Sequence, residues 1–181
     1  MDLSQAKVLF DAAQMAAQLE AMAQAIVGED RQCPDLCLVG IRTGGVHLAQ
    51  RLGALVGRLL GTQPDIGIMD ITLYRDDWTT QHRRPKVGTT QIAFDLEGRR
   101  VVLVDDVLYT GRTVRAALDE LMDFGRACRV DLAVLIDRGG RELPVQPDFV
   151  GATVRGEQNQ VIEVLLTEEG YPSDQVVTLP R

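Results

Sequence analysis

The chain has 181 residues, 45% hydrophobic and 25% charged, which suits one globular domain over residues 1–181 with a sizeable core. Its net charge of −7 argues against a nucleic-acid binder with a clustered basic face, because phosphate contacts supply most of such affinity. No apolar run approaches the ~20 residues of a membrane span. The first residues, with Asp2 and a single Lys7, lack the basic and apolar regions of a secretory leader, so a cytoplasmic protein without a membrane partner is expected.

Over residues 10–27, Met15, Leu19, Met22 and Ile26 recur at three- and four-residue steps, the pattern of an amphipathic helix. Its exposed face carries Gln14, Gln18, Glu20 and Gln24, and no Lys or Arg occurs between Lys7 and Arg31. Cys33, Cys37 and Cys128 form an odd set, expected to be reduced thiols. With His47 and His82 as the only histidines, neither a four-ligand zinc site nor a Ser-His-Asp or Cys-His mechanism finds enough material.

The short apolar run at residues 35–41 reads as a buried parallel strand. It ends in Arg42, Thr43, Gly44 and Gly45, after which Val46, Leu48, Ala49, Leu52, Leu55 and Val56 return at helical spacing. Glycines in such a turn let backbone N–H groups approach an anion without Cβ interference, and Arg42 can add charge. A tight turn without function is the commoner meaning of G-x-x-G-G alone. Residues 66–74 predict another strand, running into Arg75, Asp76, Asp77 and Trp78. The aperiodic stretch 79–90 holds Arg83, Arg84 and Lys86. It is either a solvated hairpin loop or a flap that closes over substrate and brings cations to it.

Residues 101–104 are apolar and lead into Asp105 and Asp106; then come Tyr109, Thr110, Gly111, Arg112 and Thr113, and a helical pattern through Val114, Ala117, Leu118 and Leu121. In an open α/β sheet, ligands sit at the carboxyl end of such a strand. Backbone N–H groups at residues 110–113, at the positive end of the helix, can hold a phosphate, and the carboxylates can take vicinal hydroxyls or a divalent cation. Together they describe a ribose 5-phosphate. A response-regulator receiver also ends an apolar strand in acids but needs a later lysine; Lys7 and Lys86 both lie upstream. The helix at 113–124 is followed by Gly125, and further strands are predicted at 130–136, 148–154, 161–166 and around Val176 and Val177.

The run from Val101 to Thr113 resembles the diphosphoribosyl-binding signature of type I phosphoribosyltransferases. Three stretches resemble the PyrR family within that class, pyrimidine-operon attenuation proteins with uracil phosphoribosyltransferase activity: DITLYRDD at 70–77, DDVLYTGRT at 105–113, and DRG at 137–139 with RELP at 141–144. The resemblance implies an α/β fold, a twisted, mainly parallel sheet flanked by helices with a small hood built from chain-terminal segments. It implies phosphoribosyl diphosphate, uracil and Mg2+ as ligands, UMP as product, and a homodimer or higher oligomer. Carried onto this chain, Asp105 and Asp106 bind the ribose hydroxyls and Mg2+, directly or through water. Tyr109, Thr110, Gly111, Arg112 and Thr113 hold the 5-phosphate; Arg42, Thr43 and Gly44 meet pyrophosphate; Arg75, Arg83 and Arg84 are flap cations, with Arg84 catalytic; and Arg138 and Ile162 frame the base.

The departures concern RNA, the family's second ligand. Gly44 stands where the family often has Arg, and Gly140 where a His is usual. Residues 155–160 read RGEQNQ in place of a Thr-Ser and Lys-containing stretch, and the N-terminal helix presents Glu20, Ala21 and Gln24. Of the RNA-facing set, Arg141 alone remains. Two readings from different classes stay open: a uracil phosphoribosyltransferase, and a UMP-sensing attenuator that binds RNA with little catalysis. A purine phosphoribosyltransferase is a lesser third.

Overall fold

The computed structural model describes residues 3, 5–29, 35–71, 89–155 and 159–180. Five parallel strands, β2 (Leu36–Ile41), β3 (Asp65–Met69), β4 (Arg100–Leu108), β5 (Arg129–Asp137) and β6 (Phe149–Thr153), form a sheet in the order β3-β2-β4-β5-β6. β1 (Lys7–Phe10), β7 (Gln160–Leu165) and β8 (Gln175–Pro180) form a separate antiparallel sheet in the order β1-β8-β7. That second sheet is the expected hood, and it is made from both ends of the chain.

Period-two alternation divides the core into two layers. Leu38, Val102, Val104 and Leu135 face α1 (Ala12–Gly28) and α2 (Gly44–Leu60), where they meet Met15, Met22, Ile26, Leu48 and Leu52. Cys37, Val39, Val101, Leu103 and Val134 face α3 (Arg112–Leu121) and meet Val114, Ala117 and Leu121. Because β4 is buried on both faces, its sequence is a continuous apolar run rather than an alternating one. Each fully buried Leu, Ile or Val there contributes roughly 1.5–3 kcal/mol of burial free energy.

Several boundaries differ from the sequence expectation. The first helix starts at Ala12, because Asp11 closes a capping box with Gln14: the Gln14 N–H donates to Asp11 Oδ1 at 2.9 Å, and the Asp11 N–H to Gln14 Oε1 at 3.0 Å. Phe10 is left to β1. The helix after the acidic pair gives way to a 3-10 turn at Met122–Phe124 before Gly125, whose φ of 124° lies outside the usual left-handed cap. The predicted strand at 66–74 is β3 as far as Met69; residues 72–74 lie outside the described set.

Cys37 is a buried free thiol whose ionisation burial pushes up to about 11. Cys128 is exposed and disulfide-bonded. This corrects the expectation of three reduced thiols and removes the support they lent to a cytoplasmic setting. Cys128 sits at the surface before β5 rather than in an apolar segment. Among the described residues, no helix is long and apolar enough to cross a membrane.

Candidate active site

Asp105 and Asp106 lie inside β4, not in a turn after it. The ladder to β5 continues past them, pairing Asp105 with Val134 and Leu108 with Asp137. Strand alternation sends Asp106 to the side of α2 and Asp105 to the side of α3. Asp105 is 6% exposed, and its Oδ1 accepts the Asp106 N–H at 3.0 Å. Asp106 is half-buried, and its Oδ1 accepts the Val107 N–H at 2.7 Å. Burial raises the Asp106 pKa, against the opposing effect of that N–H.

The turn between β2 and α2 lies directly on Asp106. A Cβ at Gly44 would come 2.6 Å from Asp106 Oδ2, and one at Gly45 would come 2.3 Å from the Val104 carbonyl oxygen. At Gly45 the clash is with backbone, so glycine is needed there; at Gly44 a side chain would have to displace the Asp106 carboxylate. Thr43, at the start of α2, provides no side-chain cap, so the first N–H groups of the helix face the acid-bearing edge of β4 without a side-chain acceptor. Arg42 stands beside this turn. Its Nε lies 3.5 Å from Oδ2 of the buried Asp70, and its guanidinium donates to the Thr89 carbonyl at 3.4 Å.

The turn between β4 and α3 is the second turn with a donor-rich helix start. Gly111, with φ of 89°, forms the N-terminal cap position and offers no side-chain bond. Among the described residues, the N–H groups of Tyr109, Thr110 and Gly111 donate to no protein acceptor. Such orphan donors at a helix start suit a phosphate. Thr110 Oγ1 takes the Arg112 N–H at 3.4 Å, and Arg112 Nε lies 2.8 Å from Glu142 Oε2.

Arg138 stacks on the Tyr109 ring at 4.2 Å and donates to the Gln160 carbonyl at 2.6 Å, tying β7 of the hood to the end of β5. Gly140, with φ of 78°, lies under the same ring: a Cβ there would meet Tyr109 Cε2 at 2.5 Å. The ring occupies the room a His at 140 would need. Ile162 is 4% exposed and packs in the core cluster with Val164 and Leu166, so it offers a ligand little side-chain surface. Arg75, Arg83 and Arg84 lie outside the described residues. Thus Arg42, Thr43, Gly44, Asp106 and the 109–113 turn converge at one end of the sheet.

Sequence reading missed three further groups. Asp70 is buried behind Arg42. Glu163, half-buried on β7, has its pKa raised by burial, then by Asp106 and Glu169. Arg51 of α2 binds Glu168 Oε2 at 2.5 Å and Asp174 Oδ2 at 2.6 Å. Asp70 opens the 70–77 stretch but nothing local pairs it with Arg42, and Glu163 and Arg51 are single charged residues that no local pattern marks.

A parallel sheet with two glycine-containing strand-to-helix turns beside acids on its central strand has the architecture of a phosphoribosyltransferase. The sequence matches the phosphoribosyl transferase domain family over residues 5–167. Curated relatives called bifunctional protein PyrR include those of Thermus thermophilus, 49% identical over 160 residues (88% of each chain), and Listeria welshimeri, 46% identical over 173 residues (94% of each chain). The hypoxanthine phosphoribosyltransferase of Trypanosoma cruzi has the same fold, with a TM-score of 0.69 at 18% identity over 97% of each chain. The chain belongs to the PyrR family of type I phosphoribosyltransferases.

Proposed function

We propose that this chain transfers the 5-phosphoribosyl group of phosphoribosyl diphosphate to uracil, forming UMP and pyrophosphate, as a homodimer or higher oligomer. The observation that carries the reading is the contact of Asp106 with the Gly44 turn, one turn away from the orphan N–H groups at 109–111. That spacing suits a ligand with a phosphate at one end, a diol in the middle and a diphosphate at the other.

In this proposal the N–H groups of Tyr109, Thr110 and Gly111, with Thr113 and the Arg112 side chain, hold the 5-phosphate. Asp106 takes the ribose hydroxyls, and Asp105, on the other side of β4, holds the Asp106 N–H. As the C–O bond to pyrophosphate breaks, positive charge grows on the sugar ring and negative charge on the leaving group. The carboxylates offset the first; Arg42, the start of α2 at Thr43 and Gly44, and Arg75 and Arg84 offset the second. No protein nucleophile is required. Arg138 and the β7 backbone beside Ile162 frame the base.

The donor set also fits Mg2+. Two carboxylates, with no group of three metal-ligating side chains among the described residues, match an ion that keeps waters and relies on substrate oxygens. Asp106 would hold it, directly or through water, with Asp105 fixing the Asp106 backbone from the other side of β4, and the ion would supply charge neutralisation at the diphosphate.

A coupled assay of UMP formation, run beside hypoxanthine, guanine and orotate, tests the proposal. Turnover with uracil alone is expected. Faster turnover with a purine base would replace the base assignment, and binding of UMP without turnover on any base would favour a nucleotide sensor.

A further inference from the structure

The segment 138–145, which follows β5, gives the reaction proposed above only Arg138, yet it wraps the turn proposed to hold the phosphate. Arg141 is the centre of that wrap. Its side chain is 13% exposed and reaches acceptors on three pieces of chain. Nε donates to the Val145 carbonyl at 3.0 Å. Nη1 donates to the carbonyls of Leu108 at 3.4 Å and Tyr109 at 3.1 Å, and Nη2 lies 2.8 Å from Asp137 Oδ1. Next to it, the N–H groups of Glu142 and Leu143 both donate to the Thr110 carbonyl, at 3.0 and 3.1 Å. The Arg138 N–H donates to the Leu108 carbonyl at 3.0 Å.

These contacts seize the carbonyls of three successive residues, Leu108, Tyr109 and Thr110. A trans peptide is planar, and its C=O and the next residue's N–H point in opposite directions. Holding those three carbonyls therefore turns the N–H groups of Tyr109, Thr110 and Gly111 the other way. Those are the three donors that find no protein acceptor. A guanidinium can do this because it carries five donors in a fixed plane and stays charged.

We infer that Arg141 is a positioning residue for the phosphate turn, acting on the ligand only through the peptide planes of residues 108–111. The inference rests on the phosphoribosyl reading of the site. It gives Arg141, left by the sequence reading as an RNA contact, a role inside the protein, where four acceptors take its donors.

The test compares UMP with uridine, which differ by the phosphate alone. Calorimetric titrations of the full chain with Mg2+ give the ratio of the two affinities in the parent, in Arg141→Gln and in Arg141→Lys. Weakened charge-assisted bonding to the phosphate is expected to lower UMP affinity roughly tenfold or more in Arg141→Gln while uridine affinity stays within about twofold. The KM for phosphoribosyl diphosphate should rise and that for uracil should not. Arg141→Lys, one ammonium for four acceptors, should fall between, and it carries the test if Arg141→Gln does not fold. A global loosening would weaken both ligands together and leave the ratio unchanged. An unchanged ratio in a folded variant overturns the inference, as does a variant that loses binding to a leader RNA hairpin while its UMP affinity is intact. A parent with no preference for UMP over uridine would instead sink the phosphoribosyl reading.

Discussion

Asp106 combines a catalytic use with a folding cost, and one substitution separates the two. Its pKa is raised in the fold by burial, so the fold favours the protonated acid. The stability linked to it is present below the unfolded carboxylate range and is lost as pH rises through the raised folded value. Asp106→Asn removes that dependence. Without ligand, the variant should melt higher than the parent at pH 8 and alike at pH 4, while kcat/KM falls roughly 10²–10³-fold. Scanning calorimetry at both pH values and initial rates check it; unchanged rates would remove Asp106 from the site. Gly140 is the opposite case, a residue whose value is the absence of a side chain. Its positive φ and the Tyr109 ring 2.5 Å from a would-be Cβ both exclude one. Gly140→Ala should cost about 1–3 kcal/mol in urea denaturation and loosen the stack of Tyr109 on Arg138.

The hood packs Ile162, Val164 and Val176 into the core shared with α1 and α2, and the Arg51 cluster adds a charged tie from α2. Its guanidinium spans Glu168 and Asp174, both between β7 and β8, and Asp174 Oδ1 also accepts the Thr167 N–H at 2.9 Å. Arg51 lowers the pKa of both carboxylates. Stability from lowered carboxylates is present above the unfolded range and lost as pH falls through the folded values. Arg51→Ala should therefore reduce amide protection in β7 and β8 most at neutral pH, with parent and variant converging on acidification. Hydrogen exchange at pH 7 and pH 4 reads this, and an effect independent of pH would mean that only packing of the Arg51 stem was lost. The same part of the molecule shows what sequence could not supply. β2, β4 and β5 were legible because a strand buried on both faces carries an uninterrupted apolar run, as at Val101–Val104 and Leu132–Ile136. β1 was not: it has four residues, two of them exposed, and it becomes a strand only because β8, at the other end of the chain, pairs with it. At the candidate site, the 109–113 turn and the Gly44 turn were legible as strand-to-helix turns because small residues there separate an apolar run from helical spacing. Arg141 was read as an RNA-facing residue because nothing local announces that four acceptors, on Leu108, Tyr109, Asp137 and Val145, await it.

At the scale of the whole molecule the remaining question is RNA. RNA loops are held by cation–phosphate contacts together with stacking on aromatic rings or Arg planes. This chain has a net charge of −7 and is only 4% aromatic. α1 contains no Lys or Arg, and the cavity of about 280 Å³ between α1 and α2 is lined by Glu20, Gln24, Leu55, Leu59 and one cation, Arg58. Arg141 is occupied by Asp137 and three carbonyls, and Arg138 by the Tyr109 ring and the Gln160 carbonyl. What remains on the expected RNA face is too little positive charge for substantial counterion release, and the acidic surface repels a polyanion on approach. A pyrimidine-leader hairpin should therefore bind more weakly than ~10⁻⁶ M at physiological salt, in the range of non-specific association, and UMP should not tighten it. The salt dependence is as telling as the affinity, because each phosphate contact adds about 0.7–0.9 to the slope of log K against log salt. Filter binding across salt concentrations, with and without UMP, should give a shallow slope. Nanomolar, UMP-dependent binding with a steep slope would mean that oligomer assembly builds a basic face from arginines that lie apart in one chain, and would put the attenuator role first.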